Sequence, residues 1–323
     1  MVPAMSLADR LSRSGAARRV RGLPHRQTSL ARAVSLSGVG AHSGDRTHVT
    51  LAPAPAGAGV SFCSDGHIVP ADWRQVDATH LRTRLQDGAV SVSTIEHLMA
   101  ALAGLGVDNV LVELDRGEIP AMDGSAAPFV AAIDEAGIVA LDAARRSLRV
   151  VDSVRVQDGA GWAELSPAPH GLTLDVEIAY PAPPIGRQRV RLALTPETFR
   201  SAVAPARTFG FLADAERLWR EGLALGASLD NTIVIDDGRA LNPQGLRFAD
   251  EFARHKLLDA VGDLALAGAP IIGAFRSYRG GHGLNVALLA EAMQRGALEW
   301  ENPPASARAR EKLTGWQNAP ERR

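Results

Sequence analysis

Cysteine is almost absent, with Cys63 standing alone in 323 residues. One thiol closes no intrachain disulfide and builds no cysteine-based zinc cluster, and this usage fits a reducing, cytoplasmic setting. Long apolar runs are also missing. The longest stretch, Leu264 to Phe275, is interrupted by Gly268, Pro270 and Gly273. A bilayer span needs about 20 apolar residues, so stable membrane insertion is not expected. Excess charge is missing too: 35 basic and 36 acidic residues leave a net charge of -1 with histidine neutral. Nucleic-acid binding rests on a clustered basic excess, and no nucleic-acid partner is expected. Lysine is the last scarcity. Only Lys256 and Lys312 occur, and arginine takes the other basic positions. In such a chain a surviving lysine hints at a place where a compact ammonium is needed.

What remains is ordinary globular material, 46% hydrophobic and 22% charged, long enough for one large or two medium domains. Residues 1–25 carry five arginines and one acid (Asp9) with scattered Ser and Ala. No apolar core follows the charges, so a secretory signal is not expected. The expectation is a disordered extension, although the composition also resembles a mitochondrial transit segment. Residues 303–323 read as a polar tail. Between the tails, short β-rich runs alternate with a few helices. Thr94 to Ala103 reads as a helix capped by Ser93, with Glu96 at capping-box spacing. Asp250 to Ala267 is the longest helical pattern, and a last helix is expected from Asn285. Thr208 to Asp237 reads as strand, helix, strand. The charged stretch Asp142 to Arg146 suggests a domain boundary. Glu96-His97 to Gly104 and Arg254-His255 to Gly268 echo one another, each a helix with an early histidine, a closing Leu-Ala-Gly and then an apolar strand. This faint echo suggests an old duplication.

The chemistry concentrates on those two helices. His255 and Asp259 lie four apart and project from one helix face, a spacing that suits a divalent metal, zinc first. An i,i+4 surface pair of no consequence is the plainer alternative. Glu96 and His97 are adjacent and point about 100° apart, so they suit one ligand with a neighbouring general base better than two ligands of one ion. Together His97, His255 and Asp259 make a two-His, one-carboxylate set with an open position, the pattern of a catalytic zinc site. His282 follows a strand in a glycine-rich turn and could act as a general acid; His42, in a similar turn, is a weaker candidate. Thr208 offers a hydroxyl beside Phe209 and Phe211, which could line an apolar slot.

Six ordered motifs complete the reading: Gly38-Val39-Gly40 through Gly44, Thr94-Ile95-Glu96-His97-Leu98, Met122-Asp123-Gly124-Ser125 through Phe129, Ala206-Arg207-Thr208-Phe209-Gly210-Phe211, His255-Lys256 through Asp263, and Gly281-His282. From about Arg26 to Trp300 the chain closely resembles the UDP-3-O-acyl-N-acetylglucosamine deacetylases, zinc amidases of lipid A synthesis in Gram-negative bacteria. The resemblance implies an α+β fold of two similar two-layer sandwich domains, 26–143 and 144–302, with helices packed between the sheets and the active site at their junction. It implies one Zn2+ per chain on His97, His255 and Asp259, with Glu96 as general base. Lys256, Thr208 and His282 would surround the scissile amide, and Asp263 would support His282. An insert at about 208–235 would form the passage for the substrate's acyl chain, with Phe209, Leu212, Ala215, Ala224, Ala227 and Thr232 as lining. The partner implied is a UDP-linked acylated amino sugar, and a monomer is expected. Two rivals remain: a zinc amidase for another acylated sugar, and a lipid- or nucleotide-binding protein that has kept the fold and lost catalysis.

Overall fold

The computed structural model describes residues 25–303; the readings placed on residues 1–24 and 304–323 lie outside them. Strand β1 (Arg26–Leu30) leads to β2 (Val34–Val39), β3 (Arg46–Pro53), β4 (Val60–Ser64) and β5 (His67–Pro70). A small antiparallel sheet follows, made of β6 (Val76–Ala78), β7 (Arg84–Asp87) and β8 (Val90–Ser93). Then come helix α1 (Glu96–Leu105), β9 (Val110–Leu114), helix α2 (Ala127–Ala136) and β10 (Ile138–Ala144). The main sheet runs β2-β3-β9-β4-β5, antiparallel throughout except for the β4–β9 pair.

The second half has the same plan. Strands β11 (Ser147–Val150), β12 (Val154–Asp158), β13 (Gly161–Ser166), β14 (Leu172–Ala179) and β15 (Arg187–Ala193) precede a second insert. That insert holds β16 (Phe209–Phe211), helix α3 (Ala215–Arg220), β17 (Ile233–Asp236) and β18 (Arg239–Ala240). Helix α4 (Glu251–Leu264), β19 (Ile271–Tyr278), helix α5 (His282–Gln294) and β20 (Leu298–Glu301) complete it. Here β12, β13, β19, β14 and β15 lie in order, again antiparallel except where β14 meets β19. Even the lesser pairings recur. β11 is parallel to the start of β19 and antiparallel to β20, while β1 makes a parallel bridge to Asn109, just before β9, and runs antiparallel to β10. Each half therefore repeats one order of strands and helices, and each carries its insert just before the helix that the sequence marks as chemical. This is the mixed α/β architecture expected, and the faint sequence echo corresponds to a shared topology.

The sheets are one-sided. Along β13, Gly161, Ala163 and Leu165 are buried while Trp162, Glu164 and Ser166 are not, the period of two that puts one face on a core. Helices α1 and α4 are different, because α1 buries every residue but Ala103 and α4 every residue but Arg254 and Lys256. Helices apolar or buried on all sides belong in the interior, and these two pack on each other. Their approach is close: a Cβ added at Gly262 of α4 would lie 2.1 Å from the backbone oxygen of Glu96 in α1. Glycine at that point lets the two backbones meet.

Two expectations need correction. The capping box of Ser93 and Glu96 does not form, since α1 starts at Glu96 with no side-chain cap. Ser93 is held in β8 by its backbone bond to Gly117, and Thr94 turns the chain at a φ of 60°, so the Glu96 carboxylate is free to face another segment. The last helix begins at His282, three residues earlier than expected, which puts that histidine on a first helical turn rather than in a loop. The stretch Asp142 to Arg146, read as a domain boundary, is the short connection between β10, which runs through Ala144, and β11, which starts at Ser147.

Gly262→Ala separates two effects of opposite sign. Helix propensity alone would stabilise the variant by about 1 kcal/mol, whereas overpacking the crossing costs about 1–3 kcal/mol. Urea denaturation is expected to show net destabilisation, and a variant at least as stable as the parent would mean the crossing is not tight.

Candidate active site

Helix α1 contributes Glu96 and His97 at its first turn, and α4 contributes His255, Lys256, Asp259 and Asp263. The crossing at Gly262 brings the two sets together. Single ligand atoms of His97, His255 and Asp259 all lie within 4.8 Å of one another, and all three residues are buried. Asp259 Oδ1 is 3.4 Å from His255 Nε2 and 3.7 Å from His97 Nε2. That oxygen is buried and has no hydrogen-bond partner among the described residues. An orphaned carboxylate oxygen facing two imidazole nitrogens is costly in a dry interior unless something positive sits between them. Two nitrogens and one carboxylate oxygen suit zinc, so the residues present fit a divalent metal.

Two of the three residues are aimed by a hydrogen-bonded neighbour. His255 donates its Nδ1–H to the carbonyl of Ala206 at 3.1 Å, which leaves Nε2 as the free lone pair. Asp259 Oδ2 accepts from the Lys256 ammonium at 2.8 Å, while its other oxygen faces the imidazoles. The rings of His97 and His255 meet edge to face with centroids 4.9 Å apart.

A second network lies beside the first. The His282 Nδ1–H donates to Asp263 Oδ2 at 2.9 Å, and Asn285 Nδ2 donates to the same oxygen at 2.9 Å. The Thr83 hydroxyl donates to Asp263 Oδ1 at 2.6 Å, and the Thr83 backbone N–H donates to Glu96 Oε2 at 3.1 Å. His282 Nε2 thus points back to the centre, 3.9 Å from both Glu96 Oε1 and Asp259 Oδ2. One residue of the first insert, Thr83, fixes the Glu96 carboxylate and the carboxylate that holds His282.

The electrostatics follow from burial and pairing. Burial pushes the Glu96 carboxyl up to about 7, with Asp259 and Asp263 adding to the rise and His282 opposing it. Burial works against a charged His282, but Asp263 and Asp259 outweigh it and raise the imidazole to about 9. Burial and the neighbouring His255 press His97 down to about 3, and His255 is lowered mainly by burial. Both rings are therefore neutral, as ligands must be. Asp259 is held well below the carboxylate range despite its burial by His255 and Lys256. Lys256 is raised despite burial by Asp259.

The structure gathers Glu96, His97, His255, Lys256, Asp259, Asp263 and His282 at one point. Thr208 stands two residues beyond the carbonyl that holds His255, half-buried, with its backbone tied to Gly124 and Ile233. Phe209 packs edge-on against Phe252 at 5.0 Å, and the Lys256 ammonium lies 5.7 Å above its ring. Thr232, Ala215 and Ala224 are half-buried, while Leu212 and Ala227 are exposed. Ala224 donates its N–H to His42 Nδ1, and Leu225 and Gly226 donate to the carbonyls of His42 and Ala41. His42 is thus buried and clamps the second insert to the first half. Sequence reasoning missed Thr83 and Asn285, as well as the Ala206 carbonyl. Asn285 is three residues from His282 and would have been visible had the helix been started there; Thr83 left no local signal.

Comparisons with known proteins agree with this geometry. The family described as UDP-3-O-acyl N-acetylglycosamine deacetylase matches residues 27–294. Proteins named UDP-3-O-acyl-N-acetylglucosamine deacetylase from Brucella ovis and Brucella canis are each 50% identical over 264 residues, covering 80% of this chain and 92% of theirs. The protein of that name from Brucella melitensis biotype 2 matches to the same extent. A match of this length and identity, on a chain whose buried centre has a metal-ligand set, shows that the protein belongs to the UDP-3-O-acyl-N-acetylglucosamine deacetylase family.

Proposed function

We propose that the centre formed by His97, His255 and Asp259 binds zinc and that the residues around it remove the N-acetyl group of UDP-3-O-acyl-N-acetylglucosamine. Family membership makes the chain a deacetylase of lipid A biosynthesis, a hydrolase of an amide C–N bond. The observation that carries the residue assignment is the buried, unpartnered Asp259 Oδ1 facing two neutral imidazole nitrogens. A bound zinc ion supplies Lewis acidity, which makes water nucleophilic near neutral pH and takes up charge on an amide oxygen.

The chain's own groups divide the proton work. Glu96, fixed by Thr83, takes the proton of the attacking water; a carboxyl with its affinity raised towards neutrality is suited to that role. As oxygen adds to the acetyl carbon, the Lys256 ammonium and the Thr208 hydroxyl share the negative charge on the carbonyl oxygen. When the C–N bond breaks, the amine takes a proton from His282, which Asp263 keeps cationic. Acetate and UDP-3-O-acyl-glucosamine leave.

The surrounding features support a fuller reading. The second insert is the acyl passage: Leu212, Trp219, Leu225 and Leu229, four large exposed hydrophobics, lie on it, and Phe209 joins it to the metal centre. The matching sheets support two sandwich domains, 26–143 and 144–302, with the site at the junction of α1 and α4. No helix among the described residues is long and apolar enough to cross a membrane. We place the enzyme in the cytoplasm, as a monomer.

His97→Ala, His255→Ala and Asp259→Asn are expected to lose zinc by dialysis where the parent retains one ion per chain. Zinc contents equal to the parent's in all three would sink the assignment. Glu96→Gln should retain the metal and lose at least about 10²-fold in kcat, the scale of a positioned base; near-normal turnover would leave Glu96 a structural group only. Lys256→Arg should fold and bind zinc but lose about tenfold in kcat/KM, roughly 1.4 kcal/mol. A planar guanidinium cannot occupy the point held by the ammonium, and parent-like steady-state kinetics would show that the lysine's compact charge is not needed.

A further inference from the structure

We infer that the buried Arg207–Glu251 pair is a positioning device for His255, holding the one peptide plane that aims its imidazole at the metal. The inference rests on the reading of His255 as a metal ligand.

Arg207 is the largest fully buried side chain of the described residues, and neither it nor Glu251 touches the reacting atoms. Its Nε donates to Glu251 Oε1 at 2.8 Å, and its Nη2 donates to Glu251 Oε2 at 3.1 Å and to the Gly245 carbonyl at 2.7 Å. The Arg207 backbone N–H adds a further bond to Glu251 Oε1 at 3.1 Å. That N–H belongs to the same peptide group as the Ala206 carbonyl, which accepts from His255 Nδ1. A peptide group is planar and rigid, so its two ends move together. Glu251 and His255 are four residues apart on α4 and present one face. The Ala206–Arg207 peptide therefore spans them, its N–H on the carboxylate and its C=O on the imidazole. Rotation of the plane would break both bonds at once.

The neighbouring bonds tighten this further. Ala206 N–H is bonded to Val203 and Thr208 N–H to Gly124, and Glu251 Oε2 also accepts from Arg247 N–H at 2.5 Å. A carbonyl held this way fixes which nitrogen of His255 carries the proton and where Nε2 points. Partners behind a metal-bound histidine typically govern affinity by about 10–100-fold.

The test uses the full chain in two variants. Arg207→Met/Glu251→Leu removes both charges together and leaves no lone buried ion. Arg207→Lys keeps a paired charge but cannot bridge Glu251 and the Gly245 carbonyl. Zinc dissociation constants are measured by chelator competition, and the visible d–d bands are recorded after Co2+ substitution, with thermal melting of the metal-free proteins as the check on folding. The expected result is a folded double variant with about 10–100-fold weaker zinc binding and shifted cobalt bands, and a smaller loss in Arg207→Lys. Parent-like affinity and bands in either folded variant would overturn the inference. Collapse of the fold in both would make the pair a fold element only and would equally overturn it. His255→Ala measured alongside distinguishes the two failures: if it loses zinc while the double variant does not, the ligand assignment stands and only the positioning role falls.

Discussion

Everything at this site depends on one stripe of helix α4. Glu251, His255, Asp259 and Asp263 recur at every fourth position, and all four are buried. Polar groups taken from water into a helix interior are costly unless each finds a partner, and all the partners named here but Lys256 come from outside the helix. Glu251 draws in Arg207, His255 the carbonyl of Ala206, Asp259 the neighbouring Lys256, and Asp263 gathers Thr83, His282 and Asn285. The need to satisfy one row of side chains thus ties both inserts and helix α5 to the same axis. The fourth row position matters most, because Asp263 orients His282 and, through Thr83, is linked to Glu96 on the opposing helix.

The repeated topology explains why two helices suffice. Each half places a helix before its central strand, and the helices cross back to back at Gly262. One contributes Glu96 and His97 from its first turn, the other His255 and Asp259 from its middle. The inserts occupy equivalent places in the two halves yet have diverged in use. The first supplies Thr83, a polar brace. The second, entered just after the Ala206–Arg207 peptide, supplies the exposed apolar surface around Leu212, Trp219, Leu225 and Leu229. A duplicated scaffold leaves the core constrained and lets the insertions carry specificity, as loops on a rigid frame generally do.

Much of this was legible in the sequence where the signal is local. The i,i+4 spacing of His255 and Asp259, the adjacency of Glu96 and His97, and the strand–helix–strand pattern of the second insert are all properties of short segments. The capping box misled because Ser93 and Glu96 have the right spacing and the wrong neighbours: tertiary pairing of β8 claims the serine, and Thr83 claims the glutamate. Thr83 meets Asp263 across 180 positions of chain and His282 across 199, and no periodicity encodes such a meeting. The Ala206 carbonyl was beyond reach for a different reason. A backbone oxygen has no residue type of its own, so a sequence shows it only through what it binds. Arg207 was quoted in a motif without a role, and only its burial shows that a guanidinium at that point must be paired.

The charges of the centre close the argument. Lys256 and His282 are raised by the carboxylates beside them, Asp259 is lowered by His255 and Lys256, and burial keeps both His97 and His255 neutral. Two neutral imidazoles and a carboxylate oxygen gathered in a dry space favour a divalent cation. Fixed charges in a water-poor site need no reorganisation when the reaction occurs, and here the carboxylates of Glu96 and Asp263 are fixed by bonds to Thr83 and Asn285. The neutrality of the two imidazoles is as necessary as the charge of His282, because a proton on either would occupy the lone pair meant for the metal. Burial keeps His97 and His255 neutral while Asp263 keeps His282 charged, so three histidines within one site are set to two different states by whether a carboxylate stands behind them.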